Sequence, residues 1–236
     1  MDKIVILTGA GISAESGLKT FRDADGLWEN HRIEDVATPD AWIRNPKLVQ
    51  QFYNERRKSV LEAEPNEAHK ALARLQDYYD VQIITQNIDD LHERAGSKNV
   101  LHLHGIITHA QSDVDPALIY PISEWELRFT DLCVYGKSLR PHVVWFGEAV
   151  PNMTVASKIC KTADIFAVIG TSLQVYPAAG LTEYVPGSIL KYIVDINIPN
   201  ITSNEYLTAI EEPATIGVPM MVNELLARKN KSGSIT

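Results

Sequence analysis

Two imidazoles stand two residues apart in His102-Leu103-His104-Gly105, at the end of the apolar run 100–103. Strand alternation sends both rings to one face, with Leu101 and Leu103 on the other. Such a pair is open to three readings: structural histidines, the edge of a metal site, or a proton carrier. Nothing nearby completes a metal shell, which favours a general base. An imidazole with an ordinary pKa of ~6.5 is suited to that work at neutral pH. His104 is the candidate.

Three other polar clusters sit where apolar runs stop, and a further pair lies downstream of the first. Thr8-Gly9-Ala10-Gly11-Ile12-Ser13 follows the first run, and glycines at a strand-to-helix turn let backbone N–H groups approach a pyrophosphate. The spacing is not that of G-x-G-x-x-G, and a tight connection is the alternative reading, but placement after the first strand favours the functional one. Downstream, Phe21 and Arg22 precede Gly26-Leu27-Trp28; an aromatic ring and a guanidinium there can fence a ribose and reach a phosphate. Gln86-Asn87-Ile88-Asp89-Asp90 follows the run 81–85. Its amide and carboxylate match a ligand carboxamide. Asn87 and Asp89 could instead cap the next helix, and a cap is the preferred role for Asp90. Gly170-Thr171-Ser172 closes the run 165–169 with small hydroxyls suited to ribose or phosphate, or to a helix start. Finally, Val143-Val144-Trp145-Phe146-Gly147-Glu148 is extended and apolar, fit for a buried strand or for binding a peptide by strand addition.

The elements that must position these residues are short apolar runs at 4–7, 81–85, 100–103, 143–146, 165–169 and 189–196. Unbroken apolar runs read as strands buried on both faces of a parallel sheet. Helical spacing recurs at 46–61, 66–75 and 217–227. The alternation predicts an α/β, doubly wound, Rossmann-like sheet. The stretch 106–139 breaks the rhythm, is polar, and contains Pro116 and Pro121. It is expected to form a small inserted subdomain packed around Ile119, Trp125, Leu127, Phe129 and Leu132.

With 236 residues, 45% of them hydrophobic and 22% charged, the chain has an ordinary globular composition. A net charge of -8 repels a phosphate backbone, so nucleic acid is not an expected partner. No apolar stretch has the length of a membrane span, and none resembles a secretory leader. Cys133 and Cys160 are too few for a disulfide framework, and Cys160 is expected to be a buried small residue on a helix. A cytoplasmic setting is expected.

Taken in order, these motifs closely resemble the sirtuin family over about residues 1–227. The resemblance implies one catalytic domain spanning 1–236, with small inserts at about 29–65, which is helical, and 106–140. It implies NAD as a consumed co-substrate and acyl-lysine-bearing proteins as partners. Gly9, Ala10, Gly11, Ser13, Phe21, Arg22, Trp28, Gln86, Asn87, Ile88, Asp89, Gly170, Thr171, Ser172 and Asn197 would hold the dinucleotide. Phe21 would shield the reactive ribose, Asn87 and Asp89 would face nicotinamide, and Asn87 and His104 would be catalytic. The acyl oxygen would attack the ribose carbon as nicotinamide leaves, and His104 would then take a proton from the ribose hydroxyls. Nicotinamide, free lysine and O-acyl-ADP-ribose would result.

Val144, Phe146 and Gly147 would line the peptide path. Tyr53 and Arg56, at i and i+3 on one helix face, match the pair carried by sirtuins that remove succinyl and malonyl groups, with Ala37 as the accompanying alanine. A phenol and a guanidinium can together hold a carboxylate. Charges are ordinary on that helix, where Glu55, Arg57 and Lys58 are neighbours. Most sirtuins hold the second insert with four zinc-binding cysteines, whereas only Cys133 lies between His104 and Val144. Zinc is therefore not expected, and His109, Asp113 and Asp115 are a poor substitute set. An NAD glycohydrolase, an ADP-ribosyltransferase and a non-catalytic NAD- or ADP-ribose-sensing module are alternatives on the same scaffold. The acyl pair Tyr53 and Arg56 argues against the two enzymatic alternatives, and His104-Gly105 with an intact Gln86-Asn87-Ile88-Asp89 is more than mere binding needs.

Overall fold

The first strand, β1 (Lys3–Thr8), sends its side chains alternately into two separate cores. Ile4 and Ile6 join one apolar cluster, Val5 and Leu7 another, and all four are fully buried. A strand covered on both faces must read as an unbroken apolar run. The computed structural model describes residues 1–19, 28, 30–173, 175–198 and 204–233. Phe21 and Arg22 lie outside them.

β1 is followed by a short helix α1 (Gly11–Ala14) and then, after the undescribed stretch, by α2 (Ile33–Val36), α3 (Pro39–Arg44), α4 (Pro46–Glu62) and α5 (Glu67–Leu75). Next come β2 (Asp80–Thr85), α6 (Leu91–Arg94), β3 (Val100–His102), β4 (Gly105–Ser112), β5 (Ile119–Pro121) and β6 (Leu139–Val143). The chain closes with α7 (Met153–Lys161), β7 (Ile165–Ile169), a 3-10 helix (Ala178–Tyr184), β8 (Leu190–Val194), β9 (Leu207–Ile210) and α8 (Ala214–Gly233).

Six strands form one parallel sheet in the order β3-β2-β1-β7-β8-β9. This is the predicted doubly wound α/β architecture. The chain winds outward from β1 in one direction and from β7 in the other, so the loops after these two strands diverge and leave a crevice at their carboxyl ends. Leu72, Leu75, Val218 and Leu225 of α5 and α8 cover one face of the sheet; Ala156 and Cys160 of α7, with Leu181, cover the other. Cys160 is fully buried on its helix, as expected.

Local chemistry sets the helix starts. Asn45 caps α4 through Leu48 N–H at 3.2 Å, with Pro46 in the first turn. Asn66 accepts from Ala68 N–H while His69 Nδ1 accepts from Asn66 N–H, a reciprocal cap that puts Asn66 just outside α5. Helices α2–α4 pack around Trp28, Phe52, Tyr53 and Trp145.

Three expectations need correction. The run 143–146 is not a strand of the main sheet: β6 ends at Val143, belongs to a separate antiparallel sheet β5-β4-β6, and is followed by a loop. Trp145 turns into the core of the helical region while Phe146 is exposed. The insert does not close around five apolar residues. Leu127 packs with Ala110, Cys133 and Leu139, but Ile119, Trp125, Phe129 and Leu132 are exposed. Arg57, grouped above with ordinary surface charges, is fully buried. Its Nε donates to Ile107 O at 2.6 Å and its Nη1 to Asn54 Oδ1 and Trp125 O, at 2.7 and 2.9 Å. Two carbonyls of the insert and one α4 amide oxygen thus take up Nε and Nη1, while Nη2 is buried without a partner among the described residues.

Candidate functional site

One cavity of 380 Å³ opens at the crevice between the ends of β1 and β7. Its wall contains Gly9, Ala10, Gly11, Ser13, Trp28, Gln86, Asn87, Ile88, Asp89, Gly170, Thr171, Ser172 and Asn197. The same wall contains Ala37, Tyr53, Arg56, His104, Val144, Phe146 and Gly147. Every candidate among the described residues is thus brought to one place.

The glycines of the two rims interlock. A Cβ on Gly11 would stand 2.7 Å from Gly170 Cα, and one on Gly170 would stand 2.5 Å from Ile12 N, where φ is also +61°. Gly9 N–H donates to Ile169 O at 3.0 Å and Gly11 N–H to Gly170 O at 2.9 Å. Those donors are therefore spent on loop packing, and the turn's Ala10 N–H is the one with no acceptor among the described residues. The glycines serve close approach first; a pyrophosphate would meet Ala10 between them.

Gln86 links three parts of the site. Its Nε2 donates to Thr171 Oγ1 at 3.1 Å, tying the β2 rim to the β7 rim, and its carbonyl faces His104 Nδ1 at 2.9 Å. A carbonyl only accepts, so Nδ1 carries the hydrogen and the basic lone pair lies on Nε2. Burial lowers the His104 pKa below its ordinary 6.5, partly offset by the Gln86 bond, so the ring is neutral at pH 7. His102 is the opposite case. Its Nδ1 lies 3.0 Å from Asn87 O and its Nε2 lies 2.8 Å from Glu93 Oε1. Burial opposes its charge, but the Glu93 carboxylate prevails and raises the pKa. The two histidines grip successive carbonyls, and their pKa values shift in opposite directions.

Asn87 Nδ2 donates to Ser13 Oγ at 3.1 Å, which leaves its Oδ1 without a partner among the described residues. Asp89 is buried, and desolvation raises its carboxyl pKa, moderated by hydrogen bonds from Leu91 N–H and Ser13. Asp89, not Asp90, caps α6: Asp90 occupies the N-cap position but makes no capping bond. Behind them lies a pair the sequence did not single out. His92 Nε2 meets Thr8 Oγ1 at 3.0 Å, and its ring packs edge-on against His69 with centroids 5.0 Å apart.

At the other end of the cavity stand Tyr53 and Arg56. Arg56 lies with its Cζ 4.8 Å from the Trp28 ring centroid and donates to Lys19 O at 3.2 Å. The peptide segment is more occupied than its sequence implied. Val144 N–H donates to His104 O and Phe146 N–H to Ala37 O, each at 2.9 Å. Gly147, with φ at +92°, keeps a free N–H among the described residues. Trp145 and Glu148, part of the same motif but given no role of their own from the sequence, are wall residues as well.

Among the described residues, no group of three or more His, Cys, Asp or Glu side chains converges. Asp113 instead accepts from Trp42 Nε1 at 3.1 Å, and Asp115 accepts from Ala117 N–H. No described helix is long and apolar enough to cross a membrane.

The model of the Sir2 family matches residues 9–177. A NAD-dependent protein deacylase of Helicobacter pylori is 50% identical over 228 residues, spanning 96% of this chain and 98% of that protein. One of Bacteroides thetaiotaomicron is 47% identical, spanning 92% and 95%. A solved Sir2 homolog–NAD complex superposes with a TM-score of 0.86 at 35% identity, covering 96% of this chain and 90% of that one. A Sir2–p53 peptide–NAD+ complex superposes with a TM-score of 0.74 at 29% identity, covering 99% and 94%. The chain belongs to the Sir2 family, the sirtuins.

Proposed function

We propose that this sirtuin is a NAD-dependent protein-lysine deacylase whose acyl pocket favours succinyl and malonyl groups. The observation that carries the reading is that the paired glycine rims, the bare Nε2 of His104 and the Tyr53–Arg56 pair all line one cavity.

NAD, consumed as co-substrate, supplies the ribose that receives the acyl group when its bond to nicotinamide breaks. Ala10 N–H and the hydroxyls of Ser13, Thr171 and Ser172 suit its phosphates and riboses, and Asn197, with Trp28, completes the wall. Phe21 and Arg22 keep the ribose and phosphate roles given by the family motif. Asn87 Oδ1 accepts from a carboxamide N–H while Asp89 and Ile88 close the same corner. Gln86 holds the two rims in register and fixes the His104 tautomer. His104 Nε2 takes a proton from a ribose hydroxyl, and the neutral ring needs no prior deprotonation at pH 7. Val144, Phe146 and Gly147 guide the peptide, and Ala37 leaves room for the acyl chain. The insert is held by packing and polar contacts, without zinc.

Steady-state rates on acetyl-, malonyl- and succinyl-lysine peptides with NAD test this reading. Arg56→Met should lower kcat/KM for the succinyl peptide about 10- to 100-fold more than for the acetyl peptide, the worth of a charged hydrogen bond. Equal losses would remove the acyl assignment. Nicotinamide release that is as fast without any acyl peptide would favour the glycohydrolase alternative.

A further inference from the structure

Tyr53 is fully buried, with no exposed surface, yet it forms part of the cavity wall. Among the described residues one hydrogen bond reaches its hydroxyl: Trp145 Nε1 lies 3.1 Å from Oη. An indole N–H can only donate, so the phenol oxygen is the acceptor in this bond. The phenol's own hydrogen must then point elsewhere, and no described residue offers it an acceptor. Burial raises the Tyr53 pKa far above its ordinary value, so the group is a neutral donor at any working pH.

The indole that imposes this arrangement is itself held in place. Trp145 N–H donates to Glu148 Oε2 at 2.8 Å, and the Arg140 guanidinium lies 4.0 Å from the indole ring centroid. Arg140 also pairs with Glu148 Oε1 at 2.7 Å, closing a ring of contacts around Trp145. Trp42 packs against the indole at 5.8 Å between centroids.

We infer that Trp145 is a specificity-determining residue that acts through Tyr53, by occupying the phenol's acceptor side and committing its hydrogen to an acidic acyl terminus. This rests on the reading of Tyr53 and Arg56 as the acyl pocket. A carboxylate terminus accepts that hydrogen in a charge-assisted bond. An acetyl group ends in a methyl and leaves the same donor unanswered. Selectivity depends on where the O–H points as well as on the presence of the phenol.

The test is kcat/KM on succinyl- and acetyl-lysine peptides for the wild type, Trp145→Phe, Tyr53→Phe and the double variant. Trp145→Phe should lower the succinyl-to-acetyl ratio about 10-fold, mainly through KM for the succinyl peptide. In the Tyr53→Phe background the same change should move the ratio less than roughly twofold, since the hydrogen it orients is gone. Should Trp145→Phe fold poorly, a benzothiophene isostere of tryptophan at 145 keeps the shape, removes only the N–H donor, and should give the same drop. A wild-type ratio in a folded Trp145→Phe or isostere protein overturns the inference while leaving the acyl pocket intact. An equal drop with and without the Tyr53 hydroxyl also overturns it. A wild type with no succinyl preference would instead sink the pocket reading, and the inference with it.

Discussion

His104 and Gln86 share a 2.9 Å hydrogen bond that decides which ring nitrogen faces the ligand. The backbone carbonyl takes the Nδ1 hydrogen, so the neutral ring presents a lone pair on Nε2 to the cavity. His104→Ala should therefore reduce deacylation by a factor of about 100 to 10,000, the usual span for a positioned base. Dinucleotide binding should survive, because the rims that hold it are tied by Gln86 and Thr171. Calorimetric titration beside single-turnover rates would separate the two.

If His104 is the proposed base, the same ring should set the acid side of the pH profile. Burial lowers the His104 pKa below 6.5, so the active neutral form is already dominant at pH 6.5. The rate should rise with pH along a limb centred below 6.5 and be level above it. A limb centred above 6.5 in kcat/KM would show that another group governs the step.

His69 and His92 predict how stability depends on pH. Both are buried, and desolvation lowers their pKa values, to about 4 for His69 and well below 6.5 for His92. The unfolded chain then takes up protons first, so stability is full above pH 6.5 and falls as the pH drops toward 4. His69 alone accounts for on the order of 3 kcal/mol over that interval. His102 works in the opposite sense: its raised pKa gives stability that is full below 6.5 and lost as pH rises through the folded value. Urea unfolding from pH 7 to 4 should show a net decline. His69→Gln, which cannot titrate, should flatten it.

The parts of this molecule that were legible from sequence are those whose burial is local. β1 and β7 are covered on both faces, so nearly every residue is apolar and their limits show in the chain itself. β9 escaped because Leu207–Ile210 is a four-residue edge strand with Thr208 in it. The run 143–146 misled because its apolar residues pack beneath the helical region rather than in a sheet. The rim clusters were legible because polar groups ending an apolar strand stand out. Arg57 was not, since what buries it is a pair of carbonyls 50 and 68 residues away. The Trp145–Tyr53 bond, across 92 residues, leaves no trace in local pattern either.

Chelation offers a direct check on the insert. With one cysteine between His104 and Val144, thiolate zinc has no ligand set there. Exhaustive dialysis against EDTA should leave the melting temperature within about 1 °C, whereas loss of a structural zinc would remove several kcal/mol. Elemental analysis of the purified protein should find well under one zinc per chain. A stoichiometric, stabilising metal would mean that His109, Asp113 and Asp115 rearrange to bind it.

A polar clasp ties the insert to α4. Gln50 and Asn54 both donate to Leu127 O, at 2.7 and 3.0 Å, and Leu127 N–H returns a bond to Asn54 Oδ1. Arg57 adds its bonds to Ile107 O and Trp125 O, and burial lowers its pKa only to about 10, so it remains charged. Among the described residues no carboxylate bonds to it, and its hydrogen bonds go to carbonyl oxygens alone. Arg57→Met keeps the volume but strands two acceptors in a dry interior, at about 1–3 kcal/mol each. The expected loss is therefore about 2–6 kcal/mol by urea unfolding, with amide exchange accelerated in β4 and around Trp125 before the main sheet. A variant as stable as the wild type would mean that water reaches both carbonyls and that the clasp does not hold the insert.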